Sequence, residues 1–95
     1  MEQPRNVVGE IIRRVRNDKG LSQDQLSAKC SRLGFEISRG TLAKIESQIR
    51  GVSDVELFVI AHVLKLPIAD LFPKVLLSDL KNDRVAPYHT RNSAN

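Results

Sequence analysis

At 95 residues the chain can build one hydrophobic core and is too short for two. With 41% hydrophobic and 27% charged residues, it has the composition of an ordinary globular domain, which argues against a disordered or membrane-spanning chain. The formal charge is +4, and the excess is confined to residues 1–50, where ten Lys/Arg face six Asp/Glu, against five of each in 51–95; a localised basic half points to a polyanionic partner.

Residues 1–6 are polar, contain Pro4 and read as a flexible, frayed end. A first helix is expected over 7–19, with Val7, Val8, Ile11, Ile12 and Val15 on its apolar face; Gly9 weakens its first turn and Gly20 ends it. Ser22 opens a second helix, and Gln25 three residues later completes a capping box. Leu26, Cys30 and Leu33 face inward and Gly34 stops it. A single cysteine permits no intrachain disulfide. With no apolar run at the N-terminus, that suggests a cytoplasmic protein.

The stretch I-S-R-G-T-L-A-K-I-E-S-Q-I-R-G, residues 37–51, is a helix with a sharply marked start. Ser38 is its N-cap, and Ile37 and Leu42 sit at the spacing of a hydrophobic staple. Leu42, Ile45 and Ile49 form its apolar stripe. The other face offers Arg39, Gly40, Thr41, Lys44 and Ser47, a set suited to the DNA major groove. The signals then repeat: Ser53 and Glu56 form a second capping box, and Val52 and Leu57 a second staple. A fourth helix over 54–65 is apolar almost all round and is expected to be the buried centre of the bundle. Pro67 and Pro73 bracket a short fifth helix over 68–72. Residues 74–81 have the pattern of one more short helix, for packing or dimerisation, and 82–95 read as a flexible tail.

The motifs R-x-x-x-G-L-S-Q and S-R-x-T-L-x-K-I-E, in this order and spacing, resemble the helix-turn-helix family of phage repressors and Cro proteins, the xenobiotic-response-element type. The resemblance covers about residues 7–72. It implies an all-α, compact five-helix bundle of the lambda-repressor-like DNA-binding type over 7–73, with the helix-turn-helix at helices two and three. It implies that Gln23 fastens to a phosphate, a role helix N-termini favour. It further implies that Arg39, Gly40, Thr41 and Lys44 face base edges, that Ser47, Gln48 and Arg50 grip the sugar–phosphate backbone, and that Ser38, the cap, belongs with the DNA-binding residues. Arg16 and Glu46 match a buried structural ion pair that holds the recognition helix at its angle.

Two departures stand out. The turn between helices two and three is longer than usual by about a helical turn. Where the family often has Asn-Gly after the Glu, this chain has Ser47 and Gln48. A left-handed residue there would cost about 1–2 kcal/mol without glycine, so the helix is expected either to bear that cost or to run on toward Gly51.

The functional expectation is a sequence-specific double-stranded DNA-binding transcriptional regulator. It would act as a homodimer, since one helix reads only a few base pairs. The alternative is a protein-interaction module, such as an antitoxin that neutralises a toxin through the C-terminal segment, with or without autoregulatory DNA binding. No nucleophile–base arrangement or glycine-rich phosphate loop argues for an enzyme or a cofactor. His62 and His89 lack partners at metal-ligand spacing. Arg13 and Arg14 read as a solvated face, with flanking phosphates as the other option.

Overall fold

A computed structural model describes residues 4–74 of the chain. Four α-helices follow one another: α1 (Gly9–Asp18), α2 (Gln23–Arg32), α3 (Arg39–Glu46) and α4 (Asp54–Leu64). Three of them start at the expected serines. Ser22 Oγ accepts from Gln25 N, Ser38 Oγ from Thr41 N, and Ser53 Oγ from Glu56 N. Gln25 and Glu56 return the bond to the backbone N–H of their caps, so both capping boxes are complete.

The fifth expected helix is instead a single 3₁₀ turn, Ile68–Leu71. Its bonds run from Asp70 N to Pro67 O and from Phe72 N to Ala69 O, each spanning three residues. Five residues between Pro67 and Pro73 leave too few donors for an α-helical ladder. Leu71 is nevertheless fully buried and Phe72 half-buried, so the turn closes the core. The readings made on residues 75–95, including most of the sixth helix and the whole tail, lie outside the described residues.

Ile12, Leu26, Leu42, Ile45, Ile60 and Leu64 form the centre of the core. α3 packs against both α1 and α2, and α4 against α2 and the 3₁₀ turn. Three apolar expectations need correction. Leu33, expected to face inward with Leu26 and Cys30, follows the end of α2 and is 45% exposed. Ile49 follows the end of α3 and is 66% exposed. α4 is not enclosed on all sides: Val59, Ile60, Ala61 and Leu64 are buried, while Val55, Phe58 and His62 face outward. Mean hydropathy round a helix cannot report that one side lacks a neighbour. Among the described residues, no helix is long and apolar enough to cross a membrane.

Residues 4–6 depart most from the frayed end expected of 1–6, of which 1–3 lie outside the described residues. Asn6 is buried, and its side chain makes four hydrogen bonds. Its Nδ2 donates to Ile45 O at 3.0 Å and Arg50 O at 2.8 Å, and its Oδ1 accepts from Val8 N at 3.0 Å and Gly9 N at 2.8 Å. Arg5 N donates to Gln48 O at 2.9 Å, and Gln48 Nε2 donates to Asn6 O at 2.9 Å. The chain before α1 is thus fastened to the turn after α3.

Candidate nucleic-acid interface

α3 is held from behind and open in front. Behind it, Glu46 and Arg16 are both buried and paired through two bonds, Nε to Oε2 at 2.7 Å and Nη2 to Oε1 at 2.9 Å. Arg16 Nη1 also donates to Leu21 O at 2.7 Å. The hydrogen bond to Glu46 raises the Arg16 pKa above its ordinary value despite the burial. The pair therefore ties α1 and the α1–α2 turn to the last residue of α3.

Gln23 joins this pair, a link that sequence reasoning missed. Its Nε2 donates to Glu46 Oε1 at 3.0 Å. The residue expected at a phosphate is therefore oriented by the same carboxylate that anchors α3. Nothing local in the sequence signals this, because the partners lie 23 residues apart.

In front, Arg39, Gly40 and Lys44 are exposed and Thr41 is half-exposed. Arg39 Nε lies 4.0 Å from Asp24 Oδ1, with both side chains well exposed. A solvated contact of that length is worth little and leaves Arg39 available. Ser38 is occupied as the cap, its Oγ 3.1 Å from both Thr41 N and Thr41 Oγ1. At Gly40 an added Cβ would meet only Ser38 Oγ, at 3.9 Å. Packing among the described residues therefore does not demand a glycine at this position.

The turn between α2 and α3 occupies residues 33–38. Gly34 adopts the left-handed conformation (φ 87°), and Phe35 N closes back on Cys30 O. Ser27 Oγ donates to Ile37 O at 2.6 Å, and buried Ile37 and Leu42 form the expected staple. The extra length therefore stays outside the core, where Leu33 and Phe35 are exposed.

The turn after α3 settles the choice left open at Gln48. The helix ends at Glu46, and Gln48 is left-handed (φ 65°) without being glycine. Its backbone O and side-chain amide, both bound to the N-terminal segment, offset the strain. Ser47 is exposed, its Oγ donating to Ala43 O at 2.8 Å. Arg50 points away from a free role: it grips Glu56 through Nη1 to Oε1 at 3.0 Å and Nη2 to Oε2 at 2.9 Å. Arg13 and Arg14 are exposed on α1.

The Arg50 guanidinium holds the Glu56 carboxyl below its ordinary value of 4.5, with the Ser53 backbone N–H adding to the effect against partial burial. A depressed folded-state pKa contributes stability that is complete above the unfolded value and is lost as the pH falls through the folded one. Glu56→Gln is therefore expected to lower the melting temperature at neutral pH. The gap to the unsubstituted protein should close on acidification below pH 4.5. A gap that persists at low pH would show that the pair adds no charge-dependent stability.

The model of the helix-turn-helix family matches residues 12–71. No curated protein and no solved structure matches the chain at a significant level. Because the family match runs from within α1 through the 3₁₀ turn and takes in more than half of the chain, this protein belongs to the helix-turn-helix family of DNA-binding regulators, in its phage-repressor and Cro (xenobiotic-response-element) branch.

Proposed function

We propose that the protein is a sequence-specific regulator that binds double-stranded DNA as a homodimer, with α3 in the major groove of each half of a two-fold symmetric operator. The observation that carries this reading is the division of α3 into an anchored back and a front of available donors, Arg39 and Lys44, around a glycine that internal packing does not require. In this reading Arg39 or Lys44 donates to guanine O6 and N7. Thr41 touches a thymine methyl or a phosphate, and the bare backbone at Gly40 allows close approach. Gln23, at the start of α2, and the turn of Ser47 and Gln48 take the flanking phosphates. Arg50 serves mainly as a brace, because its guanidinium is committed to Glu56.

The exposed Val55 and Phe58 on α4 favour association with another protein surface. A second copy is the first candidate, since two recognition helices about 34 Å apart reach successive major grooves. The same surface also supports a second reading, a protein-interaction module of the antitoxin kind, in which DNA binding is autoregulatory or secondary.

Selection from a random duplex library at near-physiological salt tests both. The expected result is a two-fold symmetric motif with half-site centres about ten base pairs apart. The same selection with Lys44→Ala should lose discrimination at one position of each half-site, worth about 1–3 kcal/mol against the wrong base. An unchanged motif would remove Lys44 from base readout. Weak, salt-sensitive binding without enrichment would defeat the operator reading and favour the protein-partner one.

A further inference from the structure

The bonding capacity of an asparagine side chain is two lone pairs on Oδ1 and two hydrogens on Nδ2. At Asn6 all of it is used: the oxygen accepts from Val8 N and Gly9 N, and the nitrogen donates to Ile45 O and Arg50 O. The pairs that it joins are far apart in sequence. One is the start of α1. The other brackets the turn from the last residues of α3 to the residue before Gly51. Only an amide of this length meets both. Aspartate has no hydrogens to give the carbonyls, and serine is too short to span them.

We infer that Asn6 is a positioning residue for DNA binding: it fixes the turn at 47–50, and with it the phosphate contact made by the C-terminal end of the recognition helix. This rests on the DNA-binding reading above and adds a dependence on the N-terminal segment. The turn needs such a hold, because its central residue, Gln48, is left-handed and not glycine. Two further bonds, Arg5 N to Gln48 O and Gln48 Nε2 to Asn6 O, close the clasp on the same residue. Arg39 and Lys44 lie on α3, which Asn6 meets only at Ile45 O in the last turn and which Arg16 anchors through the two bonds to Glu46. Asn6 therefore governs affinity for the backbone and leaves the choice of bases alone.

Asn6→Ser separates the two halves of the side chain's work, because a serine hydroxyl can still accept from the start of α1 but cannot reach the turn. Binding to the selected operator and to unrelated duplex is measured against salt, at a temperature where circular dichroism shows the variant fully folded. The phosphate contacts of Ser47 and Gln48 are neutral hydrogen bonds that release no counterions, so their loss weakens binding at every salt concentration and leaves the slope of log K against log salt unchanged. Loss of one such hydrogen bond to a charged phosphate weakens binding by about tenfold, equally for operator and unrelated DNA. The enriched motif should not change.

Amide exchange without DNA should speed up at residues 47–51 while α1 stays protected. Asn6→Asp, which keeps the acceptor for α1 and lacks the donors, carries the exchange measurement if the serine variant does not fold. A folded Asn6→Ser protein with the original affinity for both duplexes overturns the inference, as does unchanged protection at 47–51 in either variant. Absence of any DNA binding by the unsubstituted chain overturns this inference and the DNA-binding reading together. Normal binding by the unsubstituted chain with an unchanged variant overturns this inference alone.

Discussion

Glu46→Ala is expected to cost about 3–5 kcal/mol, because it leaves Arg16 buried with its charge uncompensated. Arg16 would keep only its bond to Leu21 O, and Gln23 Nε2 would lose its acceptor as well. A domain of this size is stable by only about 5–15 kcal/mol, so the variant should unfold at a much lower urea concentration with little change in m. The pair itself need not add that much stability. Replacing both members with apolar residues of similar volume, Arg16→Met with Glu46→Leu, should recover most of the loss. The double variant should still bind DNA less well, because Gln23 is no longer oriented and α3 is no longer tied to the α1–α2 turn by a directional contact. A single variant that unfolds like the original would mean that water or relaxation satisfies the arginine.

Gly9→Ala should be comparably damaging, for a reason that helix propensity would get backwards. In an ordinary helix, alanine is better than glycine by about 1 kcal/mol. Here a Cβ on residue 9 would collide with Ile45 O and lie 3.0 Å from both Glu46 O and Gln48 Cγ. Two of these obstacles are backbone atoms at the end of α3, so relief requires moving one helix against another. Overpacking of this kind costs about 1–3 kcal/mol and sometimes more, and the displaced turn would also strain the bonds of Asn6. The expected result is a lower melting temperature for Gly9→Ala than for alanine at exposed Gly40, where the added Cβ meets nothing closer than 3.9 Å. Equal melting temperatures would show that α1 and α3 separate at little cost.

These cases also show which parts of the molecule could be read in advance. Helix starts were legible because their chemistry is local. Ser22 with Gln25, Ser38, and Ser53 with Glu56 each satisfy amides within three residues, and all three cap as expected. The Arg16 and Glu46 pair was legible through its resemblance to a family pattern, and it forms with both bonds in place. What could not be read depends on partners distant in sequence. Asn6 reaches 39 and 44 residues ahead, and nothing near it marks a buried position. Gly9 looked like a weakness of α1 until its neighbour across the packing was known. The apolar run of α4 could not reveal that Val55 and Phe58 are exposed, because mean hydropathy carries no information about which side of a helix packs. The site residues themselves divide similarly. Arg39 and Lys44 are exposed, Arg39 within 4.0 Å of Asp24, whereas Arg50 and Gln48 are engaged by Glu56 and Asn6.

The left-handed Gln48 bears on whether the recognition element is a portable part. α3 is only eight residues long, well below the length at which an isolated helix holds its shape in water. Its end is dictated from outside, by a residue at the start of the chain and by a carboxylate pairing with α1. A peptide carrying residues 37–51 would keep the cap at Ser38 and lose both of these constraints. Grafting it onto another scaffold would transfer the letters without the posture in which they are read. New sequence preferences are better sought by exchanging the exposed residues at 39, 40 and 44 in place, where the surrounding fold supplies the geometry to every variant alike.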